Sequence, residues 1–103
     1  MSVLMELSMF PLSGGESKSA DVAQIIKLIE KSGFPYKLTA MSTVVETKTM
    51  KEALQLLEEA YLQLEENDRI YACAKFDIRA SRVDGMHQKI ASVQAKVDVP
   101  IKS

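Results

Sequence analysis

Three carboxylates fall where strands are expected, and strand interiors are poor places for acids: Glu6, Glu46 and Asp77. Brought together with Phe10, Met41 and Tyr71, they would make an anionic, partly aromatic pocket. Such a pocket suits a flat organic cation, which gains charge pairing and attraction to the ring faces. The competing reading is structural, with the same acids paired across strands to Lys37, Lys75 and Arg79. Residue types alone leave both open.

Covalent chemistry is less well served. His87 is the single histidine, and its spacing predicts a surface or helix-end position without the placed partner that acid–base work needs. Cys73 is the single cysteine and is expected mid-strand as a packed small residue. It has no second thiol for an internal bridge, which fits a reducing compartment. Metal-ligand spacing is absent. The six methionines read as adaptable packing. The loop Ser13-Gly14-Gly15-Glu16-Ser17, just ahead of a helix, could offer backbone amides to a phosphate. It lacks a Walker lysine pattern, so the expectation is a flexible loop.

The elements that must position these groups follow from periodicity. Val3, Met5, Leu7 and Met9 make an uninterrupted apolar row, alternating with Leu4, Glu6, Ser8 and Phe10 in a strand that runs up to Pro11. Val22, Ile25, Ile26 and Ile29 then recur at helical spacing, with Asp21 in the first turn, and Gly33 and Pro35 stop the helix near Ser32. Alternation from Tyr36 to Thr47 predicts a hairpin with Ser42-Thr43 as its loop, pairing Met41 with Val44 and Thr39 with Glu46. Thr49 and Glu52 form a capping box that opens a second helix. Its stripe is Ala53, Leu57, Ala60 and Leu64, widened by Leu54 and Tyr61, with an acidic solvated face at Glu58, Glu59, Glu65 and Glu66. After an Asn67-Asp68 turn, Arg69 to Arg79 alternates strictly, with Ile70, Ala72, Ala74, Phe76 and Ile78 on the buried side. Met86, Ile90, Val93 and Val97 mark a third helix starting near Gly85.

This order predicts an α+β ferredoxin-like βαββαβ sandwich with an extra C-terminal helix, its four-stranded antiparallel sheet covered by helices on one face. The other face is expected to be bare. It would carry Glu6, Ser8 and Phe10, then Thr39, Met41, Val44 and Glu46, then Tyr71, Cys73, Lys75 and Asp77. So many apolar groups among polar ones predict a homo-oligomer, joined face to face or edge to edge.

The totals agree with one small domain spanning residues 1–103. A formal net charge of -1, with no basic run among aromatics, argues against nucleic acid and against a polybasic membrane anchor. No apolar run approaches the roughly 20 residues of a spanning helix, and no leader pattern opens the chain. The expectation is a cytosolic protein.

Several stretches resemble one known family: Glu6-Leu7-Ser8-Met9-Phe10-Pro11, Gly15-Glu16-Ser17, the run from Ser32 to Glu46, and Lys75-Phe76-Asp77-Ile78-Arg79. Together, and in matching order over nearly the whole chain, they are similar to the small thiamine-binding proteins. The resemblance implies a ferredoxin-like fold assembled as dimers or a dimer of dimers, with pockets along the sheet and subunit contacts. It implies non-enzymatic binding of thiamine or a related pyrimidine such as hydroxymethylpyrimidine, with no other cofactor and no metal. The pocket walls it implies are Glu6, Ser8, Phe10, Pro11, Thr39, Met41, Thr43 and Glu46. In that scheme Glu46 or Glu6 accepts from the aminopyrimidine or balances the thiazolium charge, and Phe10 and Met41 supply apolar walls. Ser8, Thr39 and Thr43 orient the ring. One departure is Thr47 after Glu46, where relatives often carry glycine. An interaction protein without a small ligand, or a small enzyme on a dimeric sheet, are the rival readings.

Overall fold

The structure, a computed structural model, describes residues 1–12 and 18–102. The Ser13 to Ser17 loop expected above lies outside the described residues.

The elements run β1 (Ser2–Pro11), α1 (Ser19–Ser32), β2 (Tyr36–Leu38), β3 (Thr43–Thr47), α2 (Met50–Leu62), β4 (Ile70–Arg79) and α3 (Gly85–Gln94). The strands form one antiparallel sheet in the order β2-β3-β1-β4. This is the ferredoxin-like arrangement expected from the element order, with α3 added.

Both long helices stop and start on the signals that their sequences carry. Gly33 ends α1 in the left-handed region at φ 80, where glycine lacks the Cβ that would clash. Thr49 accepts from the Glu52 amide while the Glu52 carboxylate accepts from the Thr49 amide, closing the capping box of α2. Against the helices lie Met5, Leu7 and Met9 of β1 and Val45 of β3, packed with Ile25, Ile29, Leu56, Ala60 and Leu64. Burying each large side chain of this set contributes about 1.5–3 kcal/mol. The expected α2 stripe is buried at Ala53, Ala60 and Leu64 and half-buried at Leu57; Leu56 joins it, whereas Leu54 and Tyr61 face solvent. Packing of the helix against β1 and β3 selects the Ala53-Leu56-Ala60 row.

Three expectations need correction. The β2–β3 hairpin pairs Lys37 with Val44 and Leu38 with Thr43, so Thr39 to Ser42 is a four-residue turn and Met41 does not face Val44. Thr39 makes that turn: its amide donates to the Ser42 carbonyl at 2.8 Å, and its hydroxyl donates to the same carbonyl and accepts from the Met41 and Ser42 amides. A side chain that satisfies three groups of its own turn outcompetes two more rungs of ladder. Second, the face opposite α1 and α2 is not bare throughout, because the start of α3 docks over its Ser2–Leu4 end. Third, β4 is mostly exposed on both sides. Ile78 is 50% exposed on the helix side, and Cys73 is exposed rather than packed. Ile70, Ala74 and Phe76 keep part of the expected packing against the core, but on the same side of this edge strand Ala72 and Ile78 are exposed.

Candidate functional site

Because β3 begins at Thr43, opposite Leu7, the last residues of β1 from Ser8 to Pro11 pair only with β4. The space that β3 would have filled is a cavity of about 530 Å³ between that strand, α1 and the 39–42 turn. Val22, Ile25 and Ile26 of α1 supply one apolar wall, Leu7, Met9 and Phe10 the floor, and Leu38 to Thr43 the far side. The helix gives hydrocarbon there because its 3.6-residue stripe continues one turn past the end of the core.

Of the eight residues singled out in the sequence, five line this cavity: Ser8, Phe10, Thr39, Met41 and Thr43. Thr43 is buried, while Met41 stands 86% exposed at the tip of the turn. The Ser8 hydroxyl donates to the Met41 carbonyl at 3.1 Å, which ties the turn to β1. Glu6 stands at the rim, its carboxylate accepting from the Ser42 hydroxyl at 3.1 Å. In the sheet Glu6 lies opposite Lys75 and Val44, leaving its charge exposed on the open face. Pro11 is buried and closes β1. Phe10 stacks at a tilt on Tyr71, with ring centroids 5.5 Å apart, on that same face. The α1 residues were missed from the sequence because they read as ordinary core positions, and no signal there marks a helix turn with nothing opposite it.

Glu46 sits elsewhere. Its carboxylate accepts from the Ser2 hydroxyl at 2.7 Å and from the Gly85 and Met86 amides at 2.8 and 3.2 Å, capping the start of α3 from another strand. Burial pushes its pKa up, but these three donors more than offset that and hold it below the usual 4.5. Arg82, 6% exposed, completes the cluster by donating to the Ser2 hydroxyl and carbonyl and to the Asp77 carboxylate and carbonyl. Lys89 of α3 also binds the Asp77 carboxylate, and these two cations hold the Asp77 pKa low. So the three acids do not converge on one void. Nor do Glu46 and Asp77 pair with Lys37, Lys75 or Arg79; their partners come from Ser2 of β1, from α3 and from the turn before it. Arg82 carried no sequence signal, since a lone basic residue in a turn has no period to read.

His87 is exposed in the first turn of α3 and touches Asp84, with Nδ1 to Oδ1 at 2.6 Å. Neither it nor Cys73 lines the cavity. Among the described residues no cluster of metal-ligating side chains occurs, and no helix is long and apolar enough to cross a membrane.

Comparison with known proteins agrees with this architecture. A UPF0045 protein of Mycobacterium bovis is 35% identical over 95 residues, covering 91% of this chain and 93% of that one. A UPF0045 protein of Methanothermobacter thermautotrophicus is 29% identical over 99 residues, with 92% and 99% covered. Among solved structures, a hypothetical protein of Methanocaldococcus jannaschii superposes with a TM-score of 0.80 at 29% identity, over 90% of this chain and 96% of that one. A Thermotoga maritima protein, whose name assigns it provisionally to thiamine biosynthesis or salvage, shares the fold at a TM-score of 0.77 and 16% identity, covering 90% and 99%. The sequence model of one family, described as thiamine-binding protein, matches residues 5–94, and the chain belongs to that family.

Proposed function

We propose that this protein binds thiamine or a related aminopyrimidine without transforming it, in the cavity between β1, α1 and the 39–42 turn. One observation carries the reading: a void of about 530 Å³, walled by hydrocarbon, with hydroxyls from Ser8, Thr39, Ser42 and Thr43 and the Glu6 carboxylate at its rim. That volume matches a small heterocyclic ligand. Apolar walls take the ring faces, hydroxyls set its orientation, and Glu6 faces the positive thiazolium. The family description and the name of the Thermotoga neighbour support the same chemistry. The lining holds no imidazole or thiol that would serve as base or nucleophile, which favours binding over catalysis.

Titration calorimetry with thiamine, thiamine phosphates and hydroxymethylpyrimidine tests this. Saturable binding of at least one of them, with Glu6→Gln weakening cationic thiamine more than neutral hydroxymethylpyrimidine, is the expected result. No heat from any of them up to millimolar concentration overturns it.

The functional form we propose is a homo-oligomer, a dimer or a dimer of dimers. β4 presents ten residues of edge strand, with Tyr71 and Ile78 each 50% exposed on its two sides, and a second copy is the partner that would cover both. Light scattering over a dilution series should show it; a folded monomer at every concentration removes the idea.

A further inference from the structure

We infer that the cavity reads its ligand through the main chain of β1, and that this edge selects an amino-substituted ring over its oxo counterpart. The inference rests on the binding reading above and deepens it. Peptide groups along a strand point alternately to the two sides, and two hydrogen bonds fix which residues point where. The Leu12 amide donates to the Arg69 carbonyl at 2.9 Å, so even-numbered residues of β1 turn their amides and carbonyls toward β4. The Glu46 amide donates to the Pro35 carbonyl at 2.9 Å, so even-numbered residues of β3 face β2 and Thr43, Val45 and Thr47 face β1. Their partners are Leu7, Met5 and Val3, all odd. The next odd residues, Met9 and Pro11, therefore aim their peptide groups at the place where β3 is absent.

Among the described residues, no backbone bond joins Met9 to the 39–42 turn; the Met41 carbonyl is taken by the Ser8 hydroxyl instead. The open edge thus offers the cavity the Met9 amide donor and then the Met9 carbonyl, and continues past the residues that line it to the Pro11 carbonyl. Proline removes the donor that would stand between the two carbonyls. One donor followed by acceptors is complemented by a ring nitrogen that accepts, beside an exocyclic amino group that donates. A 4-aminopyrimidine has that pair. In the 4-oxo ring the exocyclic oxygen would face the Met9 carbonyl, acceptor against acceptor, which leaves a polar group unpaired in an apolar site.

The test compares thiamine with its 4-oxo analogue by calorimetry and follows the Met9 amide by nuclear magnetic resonance in the full chain. The expected result is an oxo analogue bound at least tenfold more weakly, and a Met9 amide that shifts and gains protection from exchange when thiamine binds. Pro11→Ala restores a donor to the edge and should narrow the tenfold preference. An oxo analogue bound as tightly as thiamine, or a Met9 amide that does not move while thiamine binds, overturns the main-chain assignment and leaves the binding reading standing. Failure of every aminopyrimidine to bind overturns both.

Discussion

The two ends of this sheet are built from similar residues to opposite effect. At the Ser2 end, a carboxylate, a hydroxyl and a guanidinium satisfy one another and the first amides of α3, leaving the buried polar atoms with partners. At the Pro11 end, hydroxyls and peptide groups surround a void. A glutamate in a strand is therefore no guide to a ligand by itself. What distinguishes the ends is whether a later element arrives to occupy the polar groups, and α3 reaches only one of them.

The contrast can be broken at the occupied end first. Replacing Arg82 by Ala removes four hydrogen bonds, two to Ser2 and two to Asp77. A loss of about 3 kcal/mol is expected in urea unfolding, the lower end for removing one partner of a buried charged contact because Asp77 stays half-exposed. Next comes Glu46→Gln, with an expected cost of about 1.5–3 kcal/mol, the range for hydrogen bonds to a charged group, and thiamine affinity changed less than twofold. The same variant has a pH signature. Because the folded Glu46 pKa lies below its usual 4.5, the stability it confers is complete above that value and is lost as pH falls through the folded pKa. Acid unfolding curves of Glu46→Gln should lack this component. Loss of thiamine affinity in Glu46→Gln at unchanged stability would mean that the two ends are one site.

Smaller effects sharpen the same distinction. Gly85→Ala would place a Cβ 2.5 Å from the Arg82 Nε, which is itself held in place, so about 1–2 kcal/mol is expected from the forced shift, read as a lower urea midpoint. Met41→Ala should change stability by less than about 0.5 kcal/mol, since the side chain is 86% exposed, while weakening thiamine binding. Calorimetry and thermal unfolding of that variant together separate a pocket wall from a bystander.

Much of the architecture was written in local signals. Thr49 with Glu52 and Gly33 with Pro35 act within one turn of chain, so helix limits could be read directly. The β2–β3 register could not, because it depended on the Thr39 hydroxyl choosing its own turn over the ladder, a contest between near neighbours of similar energy. The fate of Glu46 was hidden for a different reason. Its partners Ser2 and Gly85 lie far off in sequence, and only the folded sheet sets them side by side. Ser8, Phe10 and Thr43 fall at the cavity because alternation and turn position are local, whereas the α1 wall depends on where β3 stops.

The central position of β1 has a kinetic consequence. Its row Val3, Met5, Leu7 and Met9 is made first during synthesis, yet its partner on one side is β4, pairing Ser2 with Arg79 at the far end of the ladder. Until β4 emerges, an intermediate holding β1, β3 and both long helices has a sticky unsatisfied flank along the whole of β1. Long-range closure of this kind slows folding and leaves time for the wrong strand to bind. Nascent chains stalled before Ile70 should accordingly form irregular aggregates or recruit chaperones, whereas chains released past Arg79 should associate no further than the dimer or dimer of dimers proposed above.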